Sequence, residues 1–257
     1  MNLSCDRKLL LMLGMVGAAI VAVFFFPPIP QDPHYHDFAD QRVLLGIPNF
    51  WNVVSNFPFV VVGLLGLHLL VQGPLTGGIP ALRLGYLSFF LGVLLVGGGS
   101  SYYHLHPSNQ TLVWDRIPLT VAIMALLSVL IGEQISIQAG RLLLGPLVVV
   151  GLASVLYWDA TEASGRGDLR PYVLVQFLPI VLIPVMLLLF RSCFSTTRYF
   201  WAILGTYAVA KILEIKDGAV FHALGRISGH SLKHLFAAVG TYAFLLALRK
   251  RRPRSTG

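Results

Sequence analysis

Leu82-Arg83-Leu84-Gly85-Tyr86-Leu87-Ser88-Phe89-Phe90-Leu91-Gly92-Val93-Leu94-Leu95-Val96-Gly97-Gly98-Gly99-Ser100-Ser101-Tyr102-Tyr103-His104 is the stretch on which the fold turns. Beyond Arg83 it carries no charge until it ends at an imidazole, and its apolar part is long enough for a helix to cross about 30 Å of hydrocarbon. The run lacks the period-2 alternation of an outer-membrane barrel strand. Similar spans recur at roughly 9–26, 51–72, 116–132, 142–158, 172–190, 199–213 and 231–248, making eight with 82–103. Composition agrees. The 257 residues are 56% hydrophobic and 12% charged, against about 25% charged in a soluble domain, and mean hydropathy is +0.74. Such a chain has too little polar surface to cover a water-soluble globule. The expected fold is an all-α, polytopic membrane helix bundle.

No low-complexity linker or repeat divides the spans, so they read as one membrane domain. The span at 9–26 follows Arg7 and Lys8 like a signal peptide. It is followed by Phe26-Pro27-Pro28 rather than an A-x-A-like site, so a retained helix is expected. Cys5 and Cys193 form no framework and no CxxC pair. The net charge of +8 is no nucleic-acid signature, because Arg249, Lys250, Arg251, Arg252 and Arg254 form a tail. That tail reads as a cytoplasmic anchor near acidic headgroups. With the N-terminus inside, the inner side holds eleven basic and two acidic residues, and the outer side eight basic and nine acidic. This obeys the positive-inside rule.

On that topology His104, His106, His222, His230 and His234 lie toward the outer side, with Asp115, Glu214 and Asp217 at the same level. Ionisable groups at membrane depth are costly and mark function by default. Ser100 and His104 are four apart and share a helix face. The preceding glycines admit a close neighbour. A return loop of about ten residues would bring Asp115 back beside His104. His230-Ser231-Leu232-Lys233-His234 places two imidazoles one turn apart, a clamp geometry for a metal ion. A third imidazole from His104 would leave a fourth zinc position open to water, whose pKa zinc lowers to about 7. On these residues alone other readings stand beside this one: interfacial histidines, a packing serine, and an aspartate that pairs with Arg116 or caps its helix.

The ordered set of Ser100, His104, Asp115 and H-x-x-x-H at 230–234 resembles the alkaline ceramidase family, within the superfamily of seven-helix membrane hydrolases that includes the adiponectin receptors. Phe50-Trp51-Asn52-Val53-Val54-Ser55-Asn56 and Asp115-Arg116-Ile117-Pro118 also look familial. The resemblance implies a seven-helix core over 37–248, with 1–36 as an added transmembrane helix and linker and 249–257 as a basic cytoplasmic tail. It implies zinc on His104, His230 and His234, with Ser100 and Asp115 as catalytic residues. The implied reaction is hydrolysis of the amide of a ceramide-like lipid to a fatty acid and a sphingoid-type amine. One departure is Asn49, where eukaryotic relatives carry a glutamate of a calcium site. Asp37, Asp40, Asn49 and Asn52 still offer oxygen donors for Ca2+; the alternative is a polar loop that caps the first core helix.

The expected mechanism has zinc polarising the carbonyl, Asp115 moving the proton and Ser100 donating to the oxyanion. Tyr172, opening the sixth span, could touch the substrate headgroup or belong to an interfacial belt. The partner is a membrane lipid, with no nucleic acid and no obligate protein partner evident. The expected location is a bacterial-type inner (plasma) membrane, with the C-terminus cytoplasmic and the site toward the outer face. Rival readings are a serine intramembrane protease using Ser100 or Ser101, a haem protein, and a lipid-sensing receptor without turnover.

Overall fold

A computed structural model describes residues 4–73 and 75–254. The outermost residues of the N-terminal segment and of the basic tail, 1–3 and 255–257, lie outside the described residues, as does residue 74. The described chain forms α1 (Cys5–Phe25), α2 (Phe50–Val54), α3 (Phe57–Gln72), α4 (Arg83–Leu105), α5 (Asn109–Gln134), α6 (Ile137–Ala163), α7 (Arg170–Leu189), α8 (Arg198–Ile215), α9 (Asp217–Leu224) and α10 (Gly229–Lys250). There is no β-strand among the described residues. Among the described residues seven segments, with α2 and α3 taken together, are long and apolar enough to cross a membrane. The protein is therefore an all-α, multi-pass membrane helix bundle. The eighth expected span is the 18-residue α8, which falls outside those seven because it carries Arg198, Lys211 and Glu214.

Helix α5 is the most buried of the spanning helices and packs on α4, α6 and α7, while α10 packs on α8 and α3. Helix α1 lies against α7, and Leu169 N–H donates to the Ile29 carbonyl at 2.8 Å just beyond its end.

Two differences from the sequence reading matter for the site. The span at 51–72 is broken after Val54, because Pro58 cannot donate an N–H in the first turn of α3 and its ring crowds the preceding turn. The break is held by the Asn56 side chain, which donates to the Asn52 carbonyl at 2.8 Å. The expected ten-residue return loop is only residues 106–108. Ser108 and Thr111 form a capping box that lets α5 start at Asn109, so Asp115 sits well inside the helix rather than at its start.

A third difference is at the opposite end of the bundle. Arg251, expected in a headgroup-facing tail, is 1% exposed. Its guanidinium donates to both Glu133 oxygens at 2.7 and 2.8 Å, and Tyr86 donates to the same carboxylate at 2.7 Å. A planar fork matched to a buried carboxylate outweighs solvation at the headgroups. Charge counting along the chain cannot see such a pair.

Candidate metal centre

His104 lies in the last turn of α4, and His230 and His234 lie in the first turns of α10. All three are buried. Their ring centroids form a near-equilateral triangle with sides of 4.9, 5.0 and 5.1 Å. One ring nitrogen from each falls within 4.8 Å of the others. Three neutral donors around one point suit a borderline-soft divalent ion such as zinc. The hydrogen-bond pattern agrees. His104 Nδ1 and His230 Nε2 are buried without a hydrogen-bond partner, which is costly unless something else meets them. His234 Nδ1 pairs with Ser55 Oγ at 2.8 Å, which leaves its Nε2 for an ion. The other two outer histidines, His106 and His222, are exposed.

Each element is placed by identifiable contacts. Pro118 has no N–H for the Trp114 carbonyl, and Gly99 packs over that unpaired oxygen: a Cβ on Gly99 would sit 2.0 Å from it. This close approach draws α5 onto α4. Ser100 lies one turn before His104, about 6 Å along α4, and Asp115 lies about 9 Å into α5. Both line one cavity with His234, and the Ser100 hydroxyl faces the Asp115 carboxylate. Arg116 points away from Asp115, donates to Gln31 Oε1 at 2.7 Å and stacks on Trp158 and Tyr172 at 4.1 and 4.6 Å. Asp115 therefore serves neither as the partner of Arg116 nor as a helix cap.

At α10, Gly229 fits against the Leu213 carbonyl, which a Cβ would approach to 2.3 Å. Asp217 accepts from the His230 backbone N–H at 2.7 Å and from Ala39 N–H at 2.9 Å. The second contact ties down the segment that carries Phe38. Its ring packs edge-on against His104 at 4.7 Å and tilted on His230 at 4.5 Å, and so closes one side of the imidazole cluster. Ser55 and Phe38 were not singled out from sequence. Ser55 sits inside the quoted Phe-Trp-Asn motif, whereas nothing in the sequence marks Phe38.

The four oxygen donors considered for calcium have protein partners. Asp40 accepts from Arg42 Nε and Nη2 at 2.8 and 2.7 Å, and Asp37 pairs with His34 at 2.8 Å. Asn49 donates to the His104 carbonyl at 2.9 Å. Asn52 accepts from Ser231 at 2.7 Å and donates to the Asp40 carbonyl at 3.1 Å. Through these bonds the motif braces both histidine-bearing helices.

Tyr172 is buried and lines the cavity of Ser100 and Asp115, so it is no belt residue. The cavity, about 110 Å³, shares Phe59, Val96, Leu119, Gln176, Tyr207 and Ala237 with an apolar lumen of about 170 Å³ between the helices. Ser101 donates to the Val53 carbonyl at 3.1 Å, and no histidine bonds either serine among the described residues. Imidazoles this close together leave no space for a porphyrin between them.

No curated protein matches the chain. The profile of the ceramidase family matches residues 42–252, a stretch that holds the three histidines, Ser100 and Asp115 and leaves out α1 and the segment bearing Phe38. The chain belongs to the ceramidase family.

Proposed function

We propose that this protein is a zinc-dependent membrane hydrolase that cleaves the amide of a ceramide-like N-acyl lipid to a fatty acid and a sphingoid-type amine. The observation that carries the reading is the buried three-imidazole cluster with Ser100 and Asp115 beside it, at the head of an apolar lumen. His104, His230 and His234 would hold the ion. An ion bound there would polarise the amide carbonyl and would make water nucleophilic near neutral pH.

The remaining chemistry belongs to the chain. The Asp115 carboxylate takes a proton from the attacking water and returns it to the leaving nitrogen as the C–N bond breaks. Ser100 Oγ–H donates to the oxygen of the former carbonyl as it becomes anionic. The acyl chain lies in the apolar lumen, and Tyr172 faces the head of the substrate. Phe38 keeps bulk water from the imidazoles. With the basic tail cytoplasmic, the site faces the outer leaflet of a bacterial-type plasma membrane.

Metal analysis of the purified protein, paired with mass spectrometry of products from a panel of N-acyl lipids, tests the reading. About one zinc per chain and paired release of fatty acid and amine are expected. A metal-free protein that turns over the lipid refutes it. Ser100→Ala should keep the metal and lower turnover by about 10²–10³-fold, the usual effect of removing one oxyanion donor. Full activity in that variant removes Ser100 from the chemistry. Ser55→Ala should free His234 to rotate and weaken metal affinity by about 10–100-fold, as read by titration against a competing chelator.

A further inference from the structure

Lys233 stands between the two histidines of α10, yet it has no place in the hydrolysis just described. Its ammonium donates to Glu214 Oε1, and Lys211 donates to the other oxygen of the same carboxylate. The side chains of Lys233 and Glu214 are only 17% and 18% exposed. All three line the cavity that holds Ser100, Asp115 and His234. A surface ion pair would be worth little; one held beside a reaction centre has to be explained.

The donor and acceptor inventory is lopsided. Each ammonium has three N–H donors and no acceptor. One donor of each is used on Glu214, one on each carboxylate oxygen. The Tyr207 hydroxyl, on the same cavity wall, is buried without a hydrogen-bond partner. Spare ammonium N–H groups therefore lie on a wall that also carries the unpaired Asn56 Oδ1 and the Asp115 carboxylate. The charge is lopsided too. On this wall two ammonium groups share the single Glu214 carboxylate, which leaves one positive charge in excess in that cluster. In a low-dielectric cavity that excess favours a ligand bearing negative charge.

We infer that Lys233, Lys211 and Tyr207 form a seat for an oxygen-anion head group, carboxylate or phosphate, on the amine side of the substrate. The inference rests on the hydrolase reading for its place in turnover, but the seat itself is a binding site. Glu214 holds the two ammonium groups apart and pointed inward. A carboxylate or phosphate there accepts two charge-assisted hydrogen bonds, which are stronger than those a neutral hydroxyl accepts. The Tyr207 hydroxyl supplies a third donor. The apolar lumen beyond takes the chain.

Two measurements on the full-length protein separate the seat from the chemistry. In the first, N-acyl lipids matched in chain and differing only in a hydroxyl, carboxylate or phosphate head are compared by KM and kcat. In the second, binding of an alkyl phosphate, an alkyl carboxylate and the alkanol of the same chain length is measured without any reaction. The native protein should favour the anionic heads by about 10–100-fold in KM and in affinity, with kcat less changed. Whether carboxylate or phosphate leads identifies the source of the anion. Lys233→Met should erase the preference while metal content stays whole, and Lys211→Met should reduce it. Equal use of neutral and anionic heads by the native protein overturns the seat and leaves the hydrolase reading standing. A preference that survives both variants overturns the assignment to these lysines. Lysine-dependent binding of the alkyl anions without turnover of any N-acyl lipid keeps the seat and overturns the hydrolase reading.

Discussion

His230→Ala should leave the purified protein without bound metal and with little of the proposed turnover. The imidazole is buried, its Nε2 has no protein hydrogen-bond partner, and two further imidazoles lie about one ring width away. Removing it leaves two protein ligands where catalytic zinc sites use three. Loss of an outer hydrogen-bond partner alone costs about 10–100-fold in metal affinity, and loss of a direct ligand costs more. Turnover should then fall by a thousandfold or more, because the ion's stabilisation of developing charge is worth several kcal/mol. The fold should survive. The backbone N–H of residue 230 still meets Asp217, and no side-chain bond of His230 is broken. Helical content is therefore the control on folding, and His222→Ala, exposed on α9, is the control on specificity. Full metal loading and full activity in His230→Ala would mean that the imidazole triangle is a packing motif.

Much of this was legible in the sequence, and the division has a physical cause. Hydrocarbon thickness sets helix length, so apolar runs located the spans. The side-chain period of a helix placed Ser100 beneath His104 and His230 beneath His234. What lay beyond reach were pairings made by chain segments distant in sequence. The Ser55 contact to His234 spans most of the chain and exists only because Pro58 breaks the helix after Val54. Arg251 looked like one charge of a solvated tail because its partner, Glu133, belongs to another helix. Apolar content places the start of α5 too late, near Asp115, whereas the Ser108–Thr111 box marks it at Asn109. Helix α9 is too short and too polar to register as a span. Phe38 lies in a loop, where no periodicity marks an inward-facing ring.

The strap that carries Phe38, residues 26–41, precedes the stretch that the family profile matches. His104, His230, His234, Ser100 and Asp115 all lie within residues 42–252. Outside that stretch, Tyr35 lines the reaction cavity, His36 pairs with the Tyr103 hydroxyl at 2.8 Å, and Gln31 accepts from Arg116. Each anchor joins the strap to a residue next to a candidate catalytic or metal-binding side chain: Tyr103 precedes His104, and Arg116 follows Asp115. The strap therefore braces the site as well as covering it. The same bond turns Arg116 away from Asp115.

Asp115→Asn tests the proton transfer proposed for that carboxylate. The amide nearly matches the carboxylate in size and still presents an oxygen toward the Ser100 hydroxyl, so the Gly99–Trp114 contact and the helix around Pro118 should be undisturbed. None of the three imidazoles bonds to Asp115, so the metal should stay. What is lost is a group able to take a proton from water and return it to nitrogen, a role worth about 10²–10⁴-fold. Steady-state turnover on the best N-acyl substrate should fall by that factor at unchanged metal content. Combining the change with Ser100→Ala supplies the sharper measurement. Two groups that act on one transition state are not additive, so the double variant should lose far less than the product of the two single losses. Additive losses would show that Ser100 and Asp115 act at separate steps, and near-native turnover in Asp115→Asn would move the proton to another carrier in the cavity. Among the described residues Glu214 is the only other carboxylate on its wall, and it is already shared between Lys211 and Lys233, which leaves Asp115 as the carboxylate without an ion-pair partner for the proposed proton transfer.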